Sequence, residues 1–183
     1  MQVDGDKKRS LRERGASLVE FALVAPLFFA IVFGGIEIGL MFRTYLAIEN
    51  LSRSAARIAS IERAEPDADQ QILDQVARLT APLQGDVQRV VIFTAPTLDA
   101  EVPAACAGPS ASSQSGICQV YTITDGDVAS RAAGPEEPGW RSINRMAGEN
   151  IGIHIELDYE FATGFFSTLS LATTTVEVIE QDV

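Results

Sequence analysis

Polar and apolar positions fall along this chain in three regimes. Residues 1–15 carry Lys7, Lys8, Arg9, Arg12 and Arg14 against Asp4, Asp6 and Glu13. From Phe21 to Ile36 the sequence "FALVAPLFFAIVFGGI" then runs sixteen residues without a charge. At about 1.5 Å per residue this spans roughly 24 Å, a little short of the ~30 Å hydrocarbon core of a bilayer. "ASLV" before it and "IGLMF" after it complete a membrane-spanning helix, with Glu20 and Glu37 near its two edges. The third regime, from about residue 43, alternates helical and strand periods and reads as a soluble body.

Ala47, Leu51, Ser54, Ala55, Ile58 and Ile61 recur every three to four residues, and Glu49 with Arg53 forms a favourable i,i+4 pair. One helix is therefore expected from Ser17 to about Arg63, roughly 70 Å long, with its outer half packed on the chain's own globular body. "EPDAD" breaks it, and a second helix follows through "DADQQILDQVARLTA" with Ile72, Leu73, Val76 and Leu79 as its apolar face.

Strand patterns come next. "DVQRVVIFTA" is rich in β-branched residues and ends at Pro96, and "ICQVYTIT" is closed by the Asp125-Gly126 turn signal. Ile151, Ile153, Ile155, Leu157, Tyr159 and Phe161 alternate with Gly152, His154, Glu156, Asp158 and Glu160, which predicts a half-buried strand with one solvated face. "LATTTVEVIE" is the last strand. The Ala, Ser, Gly and Pro-rich residues 97–116 read as a surface loop, as does "ASRAAGPEEPGW", where Trp140 anchors the loop to the body.

Helices followed mainly by strands give an α+β fold, an antiparallel sheet packed on a long stalk helix. The expected divisions are a leader at 1–15, a transmembrane helix at 16–42, a helical extension at 43–63 and an α+β domain at 64–183.

Charge adds direction to this picture. The chain has 14 basic and 25 acidic residues, a formal net charge of −11, so its body attracts neither nucleic acid nor anionic lipid. The basic leader faces a sparse opposite flank, where Arg43 is the only Lys or Arg in the fifteen residues after Glu37. The positive-inside rule puts the N-terminus in the cytoplasm and residues beyond about 42 outside. A cleaved secretory signal would need a small-residue site after the apolar run, and "GIEIGLMFRTYL" is a poor one. Cys106 and Cys118 flank "AGPSASSQSGI". In an oxidising compartment they would form a disulfide across that loop, and in a reducing one they would remain thiols.

Gly15, Ala16 and Glu20 make a specific constellation with the leader. A basic stretch, a glycine, a small residue, an apolar run and a glutamate at the fifth position after the glycine together resemble a type IV prepilin processing site. The wider string "RGASLVEFALVAPLFFAIVFGGIEIGLMFRTYLAIENLSRSAARIAS" resembles the N-terminal region of TadE-like minor pilins (pseudopilins) of tight-adherence, Flp-type systems. The likeness covers Arg14 to about Ser60, including Pro26, the Glu37–Gly39 step and "SAARIA", and is looser in "IGIHIELDYEF".

The resemblance implies cleavage between Gly15 and Ala16 by a prepilin peptidase, which removes five basic and three acidic side chains and takes the formal charge from −11 to −13. The implied partners are that peptidase, other pilins and pseudopilins, the inner-membrane assembly platform and the lipid bilayer. The implied location is the inner membrane, single-pass, with passage into the pilus.

A carboxylate inside an apolar helix costs about 2.5–3.5 kcal/mol on insertion scales, so Glu20 needs a partner. The α-amino group that processing creates at Ala16 of a neighbouring subunit would supply one. Pro26 lacks an N–H and would loosen the helix near Ala22. Gly34, Gly35 and Gly39 offer a small-residue patch, with Gly35 and Gly39 at G-x-x-x-G spacing for close helix packing.

Enzyme chemistry finds no support. His154 has no nucleophile or orienting acid identifiable in sequence, and an exposed strand histidine is the expectation. Asp125 and Asp127 in "TDGDV" lack the further oxygens of a calcium loop, and a metal site on the cysteines lacks its remaining ligands. No metal, cofactor, nucleic acid or small-molecule substrate is expected. The alternative to a pilin is an unprocessed single-pass protein whose outer domain binds a ligand or envelope partner.

Overall fold

The computed structural model describes residues 3–62, 68–108, 110–123, 149–164 and 167–179. Trp140, Asp125, Asp127 and the loop 129–140 lie outside these residues. The chain divides into two compact units, Met1–Leu40 and Met41–Val183. Helix α1 is Val3–Glu62, so the helical backbone starts well before Ser17, within the basic leader. Pro26 lies inside α1 without ending it. A proline removes one backbone donor, and a long apolar helix tolerates that loss.

The second unit is built on a four-stranded antiparallel sheet of β1 (Asp86–Ala95), β2 (Cys118–Thr122), β3 (Asn150–Tyr159) and β4 (Leu169–Val178), in the order β2-β1-β3-β4. Helix α2 is Ala68–Thr80, and Ala104–Cys106 forms one 3-10 turn. Helices precede strands, and the α+β reading holds. The strand boundaries shift by a few residues: β2 begins at Cys118 rather than Ile117, and β4 begins at Leu169 rather than Leu171.

One sheet face is covered by helices. Ile48, Leu51, Ser52, Ala55, Ala56, Ala59 and Ser60 are buried on α1 at helical spacing. They oppose Ile151, Ile153, Ile155 and Leu157 of β3, all 1 % exposed or less. Most of this stripe is Ala or Ser, which lets the helix come close enough for Ser52 Oγ to donate to the Ile153 carbonyl at 3.1 Å. The buried stripe is rotated from the one expected. Ala47, Ser54 and Ile58 are half-buried and Ile61 is 50 % exposed, because small residues rather than the largest apolar ones set the contact. On α2, Ile72, Leu73 and Val76 are buried, whereas Leu79 is 46 % exposed near the helix end. Tyr121 Oη donates to Asp69 Oδ2 at 2.7 Å and ties β2 to the start of α2.

The opposite face is covered as well, which overturns the expectation of a solvated side on β3. Val91, Phe93, Ala95, Cys106, Cys118 and Val120 form a second buried cluster, with Ala100, Val102, Ala111 and Val176 packed against it. The surface loop after β1 is thus also a lid on the sheet, with Cys106 buried and Ala100, Val102 and Ala111 turned into the cluster. The Cys106–Cys118 disulfide fixes it there. Gly152 explains why glycine interrupts the alternation: a Cβ at that position would collide with the Phe93 ring. Gly85, at φ +109°, allows the turn into β1, where a Cβ would strike the Asp158 carbonyl.

Two stability consequences follow from this second layer. Gly152→Ala must displace Phe93, an overpacking expected to cost about 1–3 kcal/mol in urea unfolding of the detergent-solubilised full chain. Replacing both Cys106 and Cys118 with serine frees the loop and is expected to cost about 3 kcal/mol, checked by the midpoint shift in the same titration.

Candidate functional site

Two regions carry the chemically informative residues, one in each unit. In the first, the helix is apolar on every side. Leu18, Phe21, Leu23, Leu27 and Ile31 are 65–75 % exposed. Only 6 % of the most apolar window of this helix is buried within the chain, so it is not the core helix of a folded domain. Exposed apolar surface of this extent belongs in lipid or against other apolar helices.

Gly15 and Ala16 lie within α1, and Glu20 stands exposed on it among apolar neighbours. Open space surrounds Gly34, Gly35 and Gly39, where a Cβ would meet nothing within 4 Å. Their faces are free to receive another helix. Glu37 is 4 % exposed, a buried side chain rather than the solvated interfacial charge its position suggests.

The second region is a polar cluster on the sheet, beneath the disulfide-bonded loop. Arg89 on β1 lies directly opposite Glu156 on β3, and Arg89 Nη1 donates to Glu156 Oε2 at 2.5 Å. Their side chains are 13 % and 17 % exposed, so this is a largely buried ion pair. Glu156 Oε1 also accepts the Gly108 backbone N–H at 3.4 Å and lies 3.3 Å from His154 Nε2. On its other side, His154 Nδ1 is 2.8 Å from Thr174 Oγ1 of β4.

The network therefore links three strands and the lid. Removing one partner from such a pair leaves a buried charge uncompensated, which is the costly change.

The expectation of an exposed His154 is overturned; the residue is 7 % exposed. Its pKa is pushed down, first by burial, with Arg89 adding to the effect and Glu156 opposing it. In the neutral ring, a proton on Nε2 donates to Glu156 while Nδ1 accepts from Thr174, so every polar atom of the ring is satisfied. The arrangement is a satisfied structural network. No group of three or more His, Cys, Asp or Glu able to hold a metal ion occurs among the described residues. Sequence reasoning missed the parts played by Arg89, Gly108 and Thr174. The available signal was an arginine inside an otherwise apolar strand and a histidine two residues from a glutamate on one strand face.

What the geometry defines is a class: a small α+β domain on a chain that also carries one N-terminal helix long and apolar enough to cross a membrane. The family model described as "TadE-like protein" matches residues 15–57. That match covers less than a quarter of the chain, and over it the N-terminal helix is similar to TadE-like proteins. No curated protein and no solved structure matches the chain.

The direction of the His154 shift sets a pH dependence. The folded state holds the ring neutral, while the unfolded chain takes up a proton near pH 6.5. The unfolded state thus binds more protons as pH falls below that value, and folded stability declines until the folded ring titrates as well. Unfolding free energy of the full chain is expected to fall between pH 7 and pH 5. Chemical denaturation across that range in wild type and in His154→Gln checks it, the variant showing a shallower dependence.

Proposed function

We propose that this chain is a minor pilin, or pseudopilin, of a tight-adherence type IV pilus system. It is made as an inner-membrane precursor with its N-terminus in the cytoplasm, cut between Gly15 and Ala16 by a prepilin peptidase, and assembled with other pilins by the inner-membrane platform. It works by packing and not by catalysis, supporting pilus biogenesis and adhesion.

The observation that carries this reading is the coincidence of the family match with the motif. The matched segment begins at Gly15 and contains Ala16, Glu20, Pro26 and the glycine patch. Two further features support it. The apolar helix is exposed on all sides and needs lipid or partner helices. The disulfide suits an oxidising compartment, in line with export of the second unit.

In this reading Glu20 acts during assembly. Alone in the bilayer its carboxylate is costly, and the new amino group of a neighbouring Ala16 removes that cost when two helices lie side by side. The pairing favours the assembled state over the monomer and sets the axial register between subunits. Gly35 and Gly39 allow the backbones to approach.

N-terminal sequencing and intact mass of the membrane-extracted protein test the reading. The chain is expected to begin at Ala16 in cells with an active prepilin peptidase, and at its original N-terminus when Gly15 is changed to Val. Wild-type protein that keeps residues 1–15 in such cells would sink the proposal. Glu20→Ala is expected to insert normally but to co-purify with partner pilins about tenfold less, corresponding to a loss of about 1.4 kcal/mol. Unchanged recovery would rule out the pairing.

A further inference from the structure

The two edges of the sheet are finished differently. Thr94 N–H donates to the Ile117 carbonyl, in step with the β1–β2 register. Hydrogen-bonded pairs alternate in an antiparallel ladder, so Cys118 and Val120 direct their backbone groups away from β1. Those outward groups are met by the loop that precedes β2. Gln114 exchanges both backbone bonds with Cys118, at 2.9 and 3.0 Å, and the Val120 N–H donates to Ser113 Oγ at 3.0 Å. The β2 edge is closed at Cys118 and at the Val120 N–H.

The β4 edge is not capped by any described residue. Ile179 N–H donates to the Glu149 carbonyl at 2.8 Å, one step beyond the Asn150–Val178 pair. By the same alternation, Leu171, Thr173, Thr175 and Glu177 bond to β3. Ser170, Ala172, Thr174, Val176 and Val178 point their N–H and C=O groups outward.

The strand keeps register with β3 over ten residues without a bulge, contains no Pro or Gly, and carries one charge, Glu177. Those are the devices that protect an edge from pairing, and β4 has almost none of them. A groove of about 440 Å³ lies along it, lined by Tyr45, Glu49, Arg53, Leu98 and residues 172–176.

The geometry points to β4 as a strand-addition site that takes an uncharged, extended segment of a different pilus subunit. This inference rests on the proposed function for the identity of the partner. An edge strand offers a row of backbone donors and acceptors, and only another extended backbone satisfies all of them. The two charges that line the groove are matched to each other, with Arg53 Nη2 donating to Glu49 Oε1 at 2.6 Å. Around them stand hydroxyls and aliphatic groups, so a charged peptide gains nothing, while β-branched or small uncharged side chains fit opposite Thr173, Thr174 and Thr175. A second copy in the same orientation would have to present β2, the strand antiparallel to β4, and the loop before β2 already occupies that edge at Cys118 and at the Val120 N–H.

The test compares the full-length chain in membranes from cells making the whole pilus system with the same chain produced alone. Residue-resolved hydrogen exchange is expected to slow about tenfold or more at Ser170, Ala172, Thr174, Val176 and Val178 when the system is present. Amides of Leu171, Thr173 and Thr175 should be slow in both membranes.

Ala172→Pro removes one outward N–H and leaves the ladder to β3 intact. It is expected to lower recovery of other subunits about tenfold, with processing at Gly15 and the urea midpoint unchanged. Equal exchange at the even-numbered amides in a chain that still co-purifies with other subunits would overturn the inference while leaving the proposed function standing. Absence of co-purification would overturn both. A Thr174→Cys chain that cross-links to its own copy instead of to another subunit would also overturn the inference.

Discussion

Helix α1 has to satisfy its backbone hydrogen bonds internally, because its side chains serve two different solvents along one continuous element. From Phe21 to Ile36 the side chains are uncharged, and the large apolar ones among them are exposed. From Met41 onward one stripe of the helix is buried in a folded domain. An unpaired backbone group in hydrocarbon costs several kcal/mol, so a helix is the one local structure a single segment can bring into a bilayer. The same hydrogen-bonded frame then presents Ile48, Leu51 and a run of small residues to the sheet. Pro26 removes one donor, and the helix runs on through it.

The domain depends on covering both faces of β1 and β3. Helix α1 and α2 close one side, and the residues between β1 and β2 close the other. Such a lid has little apolar bulk of its own, and its attachment draws on three different interactions. The Cys106–Cys118 disulfide limits its freedom, Ala100, Val102 and Ala111 pack on the cluster that contains Phe93, and Glu156 reaches up to the Gly108 N–H. Glu156 links this lid to Arg89, His154 and, through His154, to Thr174 on β4. A buried carboxylate is tolerable here because the guanidinium and the other donors replace its water. The cluster thus explains why β3, inside a covered sheet, keeps the polar side chains of His154 and Glu156.

The distribution of polarity also separates the parts that hold the fold from those that contact other molecules. Beneath the lid, Arg89, His154 and Glu156 bind one another and the Gly108 N–H. Among the described residues, the exposed large apolar groups concentrate on the N-terminal helix, and β4 presents a row of outward backbone groups that no described residue caps. These two surfaces have different chemistry. Apolar helices associate through close packing of small residues, whereas a sheet edge binds through a hydrogen-bond ladder.

Local pattern alone determined a good part of this. The uncharged run at 21–36, the break at "EPDAD", the β-branched run of β1 and the alternation of β3 each follow from periods that act within ten to twenty residues. The Gly15–Ala16–Glu20 constellation is likewise a local feature of the sequence. Only the tertiary structure decided which side of each element was buried.

The helix stripe turned toward Ala55, Ala56 and Ala59 because close approach to the sheet favours small residues, which hydropathy does not rank highly. The second face of β3 was sealed by a segment more than thirty residues away in sequence, so its polar residues read as solvated until the lid was in place. Arg89, His154, Glu156 and Thr174 come from three strands, and no spacing along the chain could announce their meeting. Burial is a property of what arrives from elsewhere in the chain, and a linear pattern records only what each segment brings to the contact.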